Sequence, residues 1–103
     1  MKVIFSDLAI ETLSEIVEFL LINWTEKEIS VMENDIESFV QNVQAQFKIY
    51  PISKYDKNLR EALIGNKQAK IFFEKVGEEI HVLLFWPNKR NPEKLITFLK
   101  NKL

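Results

Sequence analysis

The stretch from Ala69 to Trp86 constrains the fold more than any other part of the chain. Two runs rich in β-branched and aromatic residues are separated by a short glycine-bearing turn at residues 76–79, which is typical of a β-hairpin. The second run is apolar on both faces apart from His81, and a strand with that pattern belongs inside a sheet and not at its edge. The sequence therefore predicts a chain that covers and extends this hairpin.

A strand and a helix are predicted at the start of the chain. The segment Lys2-Val3-Ile4-Phe5 is a candidate for a short strand, and Ser6 follows it in the position of a helix N-cap. Apolar residues then recur at three- and four-residue spacing, as on one face of an amphipathic helix. This first helix is expected to end around Ile22-Asn23.

A second helix follows after a very short joint. Thr25 and Glu28 have the spacing of a capping box, and the helical stripe that they begin ends before Pro51. Two helices joined by a few residues form an antiparallel helical hairpin. Trp24 lies in the joint and is expected to pack between the helices, the alternative being a role in ligand binding.

The remaining elements complete an α+β order. Residues 59–64 alternate as a strand, residues 65–68 form a turn into the central hairpin, and Asn91-Pro92-Glu93 begins a terminal helix. Closely joined consecutive strands pair antiparallel. We therefore predict one domain over residues 1–103: an antiparallel sheet with an N-terminal helical hairpin packed on one face and a short C-terminal helix, with the helices on one sheet face.

Composition excludes several classes of function. The 103 residues contain no cysteine and one histidine, so thiol chemistry, cysteine metal sites and two-histidine mechanisms are impossible, and we expect neither metal nor cofactor. The apolar run Phe19-Leu20-Leu21-Ile22 is far too short to cross a bilayer. The first residues lack the long apolar stretch of a signal peptide, so a cytoplasmic location is the default expectation, without a membrane partner.

Charge is divided unevenly along the chain. The formal net charge is −1, but residues 1–50 hold three Lys or Arg and nine Asp or Glu, whereas residues 51–103 hold eleven and six. This asymmetry favours a charged partner for the basic half. The alternative is that acidic helices face water beside a basic sheet and the asymmetry is internal charge balance.

No pair of nucleophile and base is evident, and both glycines are explained as turn residues. His81 is interpreted as a strand histidine, the alternative being a general acid or base. The basic residues of the three C-terminal strands and their ends are better candidates, because several of them would gather on one face or edge and bind phosphate or an acidic protein surface. These candidates are Arg60, Lys67, Lys70, Lys89 and Arg90.

The chain resembles the RelE/ParE superfamily of toxins from type II toxin–antitoxin systems over about residues 2–95. The matching segments, in chain order, are the opening strand, Ala9 with Leu13 and Ile16, Asn23-Trp24-Thr25, Leu59-Arg60-Glu61-Ala62-Leu63, Lys70-Ile71-Phe72-Phe73 and Asn91-Pro92-Glu93-Lys94-Leu95. Each motif is short, and the match depends on their order and spacing. The resemblance implies an antiparallel sheet that carries a helical hairpin, and a bacterial growth inhibitor that stabilises a plasmid or chromosome.

Two activities follow from this resemblance. RelE-like members cut messenger RNA on the ribosome without metal, whereas ParE-like members inhibit DNA gyrase, and both are neutralised by a cognate antitoxin. The chain has Phe73 where a catalytic tyrosine often stands, Lys89 in place of the common tail arginine, and a net charge of −1. These departures favour the ParE-like, non-enzymatic interpretation.

The endoribonuclease alternative would draw its catalytic groups from the basic residues and the histidine. Those candidates are Arg60, Lys70, His81, Lys89 and Arg90. A third alternative is a relative that has lost toxicity and acts only as a protein-binding domain. Under the first interpretation, Arg60, Lys67, Lys70, Lys89 and Arg90 contact the target or the antitoxin.

Overall fold

A computed structural model describes residues 2–23 and 25–101 of the chain. The elements, in order, are β1 (Lys2–Phe5), α1 (Asp7–Asn23), α2 (Glu26–Gln46), a 3-10 turn (Phe47–Ile49), β2 (Arg60–Ile64), β3 (Ala69–Val76), β4 (Glu79–Pro87) and α3 (Pro92–Asn101). This order confirms the predicted α+β arrangement. The predicted packing of Trp24 lies outside the described residues. None of the described helices is long and apolar enough to cross a membrane.

Local side-chain caps explain where the helices begin. The backbone N–H of Ala9 donates to Ser6 Oγ at 2.9 Å, so Ser6 caps α1 as predicted. Thr25 and Glu28 form the predicted capping box at the start of α2. Asn91 caps α3, because its Oδ1 accepts a hydrogen bond from the backbone N–H two residues later.

The four strands form one sheet in the order β1-β4-β3-β2. β4 therefore lies inside the sheet, as its apolar pattern predicted. β2, β3 and β4 pair antiparallel, but β1 pairs parallel with β4, with Phe5 opposite Val82. The predicted antiparallel sheet thus needs correction at β1. The rule for tightly joined strands does not apply there, since two helices and two strands separate β1 from β4 and leave room for a parallel crossover.

The sheet has an apolar core on each face. Alternate residues of β3 point to opposite sides, so Ile71 and Phe73 pack against the α1–α2 hairpin while Phe72 packs on the other face. That second core includes Leu95 and Leu99 of α3. The sequence predicted that all the helices lie on one sheet face. This prediction is wrong for α3. α3 covers the opposite face, because β3 and β4 carry large apolar residues on both sides.

A β-bulge interrupts the hairpin at the centre of the sheet. Phe72 pairs with Leu84 but Phe73 pairs with Val82, so Leu83 has no opposite residue on β3. β1 ends opposite Val82 and leaves the rest of that edge of β4 uncovered. The hydroxyl of Ser6 donates to the Leu83 carbonyl at 2.7 Å, and α1 lies alongside the remaining edge.

Candidate functional site

Two turns meet at one end of the sheet. The β2–β3 turn and the segment after β4 are neighbours because Ala69 pairs with Pro87. The backbone N–H of Asn88 donates to the Gln68 carbonyl at 2.8 Å, and its side-chain amide donates to the Lys67 carbonyl at 2.6 Å. These contacts bring together four of the predicted cationic residues. We call Lys67, Lys70, Lys89 and Arg90 the basic end.

The β2–β3 turn has a backbone conformation that orients this end. Gly65, Asn66 and Lys67 all have positive φ, at 63°, 56° and 68°. Such a conformation is easy for glycine, tolerated by asparagine and uncommon for lysine. The backbone N–H of Gly65 donates to Asp35 Oδ2 at 2.7 Å, which fixes the turn to α2.

The four cations of the basic end differ in how far they are neutralised. Lys70 Nζ lies 3.1 Å from Glu61 Oε1 on the neighbouring strand, and Arg90 Nη1 lies 3.3 Å from Glu15 Oε2 on α1. Within residues 2–23 and 25–101, neither Lys67 nor Lys89 forms an ion pair, and both are exposed. Lys67 and Lys89 are therefore the cations that remain available to a partner.

Arg90 also holds three elements together. Its guanidinium carbon lies 4.6 Å from the ring centroid of Trp86 on β4 and 5.9 Å from that of Phe98 on α3. With its contact to Glu15, the side chain joins α1, the sheet and α3. The planar guanidinium suits this stacked position better than an ammonium would.

Arg60 lies apart from the basic end. It is the first residue of β2, and its Nη1 donates to the carbonyls of Tyr50 at 2.7 Å and Lys48 at 3.3 Å. Its guanidinium lies 5.4 Å from the Phe47 ring centroid. These contacts close the 3-10 turn that follows α2, so the structure gives Arg60 a structural environment and does not bring it together with the other predicted cations.

His81 lies at the other end of the sheet, near the β3–β4 turn. Its Nε2 is 3.0 Å from Glu79 Oε1, and in the β3–β4 register it is opposite Glu74. Its neighbours are therefore carboxylates and not the predicted basic residues. Across the described part of the chain, no group of three or more His, Asp or Glu residues is placed to bind a metal ion.

An apolar cleft beside the basic end is the feature that sequence reasoning missed. It has a volume of about 360 Å³ and lies between α1, α2 and the end of the sheet. Phe19 stands at its edge and is 59% exposed, and Leu21 and Ile22 beyond it are 66% and 84% exposed. The sequence signal for this cleft is the unbroken apolar run at residues 19–22. Four consecutive helical residues cover more of the helix circumference than one buried face does, so some of them must be exposed. The apolar lining residues are Ile16, Phe19, Leu20, Met32, Ala69 and Pro87.

Comparison with known proteins finds a likeness to solved structures. No protein-family model matches the chain, and no curated protein matches it. Its structure is similar to a chain of the chromosomal ParDE TA system from P. aeruginosa, with a TM-score of 0.69 and 17% sequence identity, over 84% of this chain and 95% of that chain. At this identity the likeness establishes the fold. It agrees with the α+β fold that the sequence predicted.

Proposed function

We propose that the protein is the toxin of a type II toxin–antitoxin (TA) module, which acts in the cytoplasm and is neutralised by a cognate antitoxin. The observation that carries the proposal is the likeness to a chain of a ParDE TA system, which extends over 95% of that chain. The family motifs from β1 to the Asn91-Pro92-Glu93 tail occur in the same order in this chain. The proposed mode of growth inhibition is binding to an essential target, DNA gyrase.

The placement of the charged residues favours binding over catalysis. General acid–base chemistry needs a placed donor and acceptor within hydrogen-bond reach of one reacting atom. Arg60 is occupied by backbone carbonyls, Arg90 by aromatic rings and Glu15, and His81 lies at the opposite end of the sheet from the basic end. The described cations therefore suit recognition of an acidic surface better than a concerted proton transfer.

The basic end is the proposed contact surface for the antitoxin or the target. Lys67 and Lys89 extend from two turns that are held together by Asn88, so their backbone positions are fixed relative to each other. Exposed apolar residues of α1, Phe19 among them, adjoin this charged surface. A surface that combines cations with exposed apolar side chains matches an acidic amphipathic partner segment.

A supercoiling assay with purified gyrase tests the proposed target. We expect the protein to inhibit supercoiling and the cognate antitoxin to restore it. Inhibition should weaken in Lys67→Gln and Lys89→Gln and persist in Lys57→Gln, whose exposed lysine lies in the loop before β2. Full gyrase activity at saturating protein would overturn the gyrase proposal, and unimpaired growth of cells that express the chain without antitoxin would favour a non-toxic binding domain.

A second candidate function is a metal-independent messenger RNA endoribonuclease. The observation in its favour is the grouping of Lys67, Lys70 and Lys89 at one end of the sheet, since clustered cations also bind the phosphate backbone of RNA. Primer extension on translated messages from induced cells tests this activity. New 5′ ends at codon-linked positions would support it, and their absence during growth arrest would exclude it.

A further inference from the structure

The cleft beside α1 has the shape and chemistry of a small-ligand site. Its volume of about 360 Å³ lies in the range of ligand pockets, roughly 300–1,000 Å³. The floor of the cleft is formed by lining residues that are nearly buried, namely Ile16, Leu20, Met32 and Ala69. An apolar ligand that enters would remove its own apolar surface from water and would cover part of the exposed Phe19 side chain.

The polar groups of the cleft gather at its mouth. Glu15, Gln68, Lys89 and Arg90 line it and lie on or near the surface. The hydroxyl of Thr12, the polar group of the floor, is already engaged, because it contacts the Leu8 carbonyl and the Phe85 N–H. Two cations and one carboxylate at the mouth leave a formal charge of one positive unit beside an apolar floor.

We propose that this cleft binds a small amphipathic monoanion, such as a medium-chain carboxylate. The apolar chain would lie on the floor formed by Ile16, Leu20 and Met32, and the carboxylate would accept hydrogen bonds from Lys89 and Arg90 at the mouth. The single negative charge matches the formal charge of the mouth. A purely apolar ligand would make no use of the Lys89 ammonium, and a dianion would face Glu15.

Arg90 can turn toward such a carboxylate at little cost. Its ion pair with Glu15 is between partly exposed groups 3.3 Å apart, and pairs of that kind contribute little to stability. The guanidinium can keep its stack on Trp86 while it exchanges one carboxylate for another. Glu15 therefore competes with the ligand, and its removal should strengthen anion binding.

The site also has a regulatory consequence. Lys89 belongs both to the mouth of the cleft and to the basic end, so a bound anion would compete with an acidic partner segment for it. This consequence rests on the proposed function. The site itself does not, because ligand binding is measured on the isolated protein.

Titration calorimetry with hexanoate, octanoate and decanoate, all below their aggregation thresholds, tests the site. Each methylene that becomes fully buried should raise the affinity roughly fourfold. The gain should stop once the chain fills the cleft. Amide shifts in ¹⁵N-resolved NMR spectra should concentrate at Thr12, Ala69 and Lys89. An absence of binding, or shifts that concentrate around α3 instead, would overturn the proposal.

Charge variants give the sharper result, because two of them should change affinity in opposite directions. Lys89→Gln should weaken octanoate binding about two- to fivefold and Glu15→Gln should strengthen it by a similar factor, whereas Lys57→Gln should leave it unchanged. Binding of 1-octanol, which has the same chain without the charge, should not respond to either variant. Equal effects on the acid and the alcohol, or no effect on either, would refute the proposed role of the mouth.

Discussion

The hydroxyl of Thr12 on α1 accepts a hydrogen bond from the backbone N–H of Phe85 on β4, at a distance of 3.0 Å. Both groups are buried, and the bond lies beyond the point where β1 ceases to cover β4. A helix side chain thus takes the place of a strand backbone at the edge of β4. The same hydroxyl donates to the Leu8 carbonyl at 2.7 Å. Thr12 therefore acts as a donor within α1 and as an acceptor toward the sheet.

Replacement of Thr12 by Val is expected to lower the free energy of unfolding by about 1–3 kcal/mol, because the N–H of Phe85 would stay buried without an acceptor. Valine keeps the shape of threonine, so the loss reports the hydrogen bond and not a cavity. Urea denaturation monitored by circular dichroism measures it. Thr97→Val is the matched control, since Thr97 is an exposed helical threonine whose hydroxyl donates to the Glu93 carbonyl within α3. Equal losses in the two variants would contradict the proposed role of Thr12.

Replacement of Gly65 by Ala should destabilise the protein more than replacement of Gly77 by Ala. Both glycines have φ near +60°, so each substitution carries the left-handed penalty of about 1–2 kcal/mol. A Cβ at Gly65 would also lie 2.5 Å from Met32 Cε, whereas a Cβ at Gly77 would meet no atom within 4 Å. Met32 is a flexible but buried side chain, so its displacement adds to the cost. Unfolding free energies that fall equally would show that Met32 accommodates the methyl group freely.

The stability of the fold should decrease at high pH through Tyr50. Burial raises the pKa of the Tyr50 phenol above its usual value of 10.0, where its ring packs 5.7 Å from Phe39 and 5.3 Å from Phe73 between centroids. The neutral form is therefore favoured in the folded state. Its contribution is fully present below pH 10.0 and is lost as the pH rises through the folded-state pKa.

Denaturation curves at several pH values above and below 10.0 check this prediction. Tyr50→Phe should show a smaller loss of stability at high pH than the unmodified protein. Tyr55→Phe, which keeps Tyr50, should retain the full loss. If Tyr50→Phe leaves the pH dependence unchanged, the loss arises from other groups.

Arg60, which the structure separates from the basic end, should behave differently from Lys67 in mutagenesis. Arg60→Gln removes a charged donor from the carbonyls of Tyr50 and Lys48 and should lower the free energy of unfolding by about 1–3 kcal/mol, with partner affinity preserved. Lys67→Gln should leave stability within about 0.5 kcal/mol and weaken antitoxin binding, chiefly through slower association at low salt. Surface plasmon resonance at two salt concentrations measures the binding. A loss of affinity in Arg60→Gln without a loss of stability would place Arg60 in the interface.

The local parts of the fold were predictable from the sequence, and the long-range parts were not. Ser6, Thr25 and Asn91 act on neighbours two or three residues away, so their caps are contained in short sequence patterns. The bond between Thr12 and Phe85 joins residues 73 positions apart. Its partner depends on how far β1 extends along β4, which no periodicity specifies.

The candidate site also has parts that could be predicted from the sequence and parts that could not. The gathering of Lys67 and Lys89 followed from the strand order, because consecutive antiparallel strands place alternate turns at the same end. The separation of Arg60 did not follow, since its partners are carbonyls whose position depends on the path of the loop before β2. Prediction of the cleft would also have required knowledge of how α1 is rotated about its own axis. That rotation decides whether Phe19 faces the core or the solvent, and the apolar run at residues 19–22 is compatible with either.

Stacking, and not the ion pair, should account for most of the stability that Arg90 contributes. Arg90→Lys keeps the charge near Glu15 but removes the planar group that lies over Trp86 and near Phe98, and it should cost about 1 kcal/mol. Glu15→Gln keeps the stack, removes the charge of an exposed pair and should cost about 0.5 kcal/mol or less. Urea denaturation of the two single variants and the double variant separates the contributions. Because Glu15 and Arg90 are in contact, the difference between the loss in the double variant and the sum of the single losses measures their coupling. A larger loss in Glu15→Gln than in Arg90→Lys would assign the stability to the ion pair.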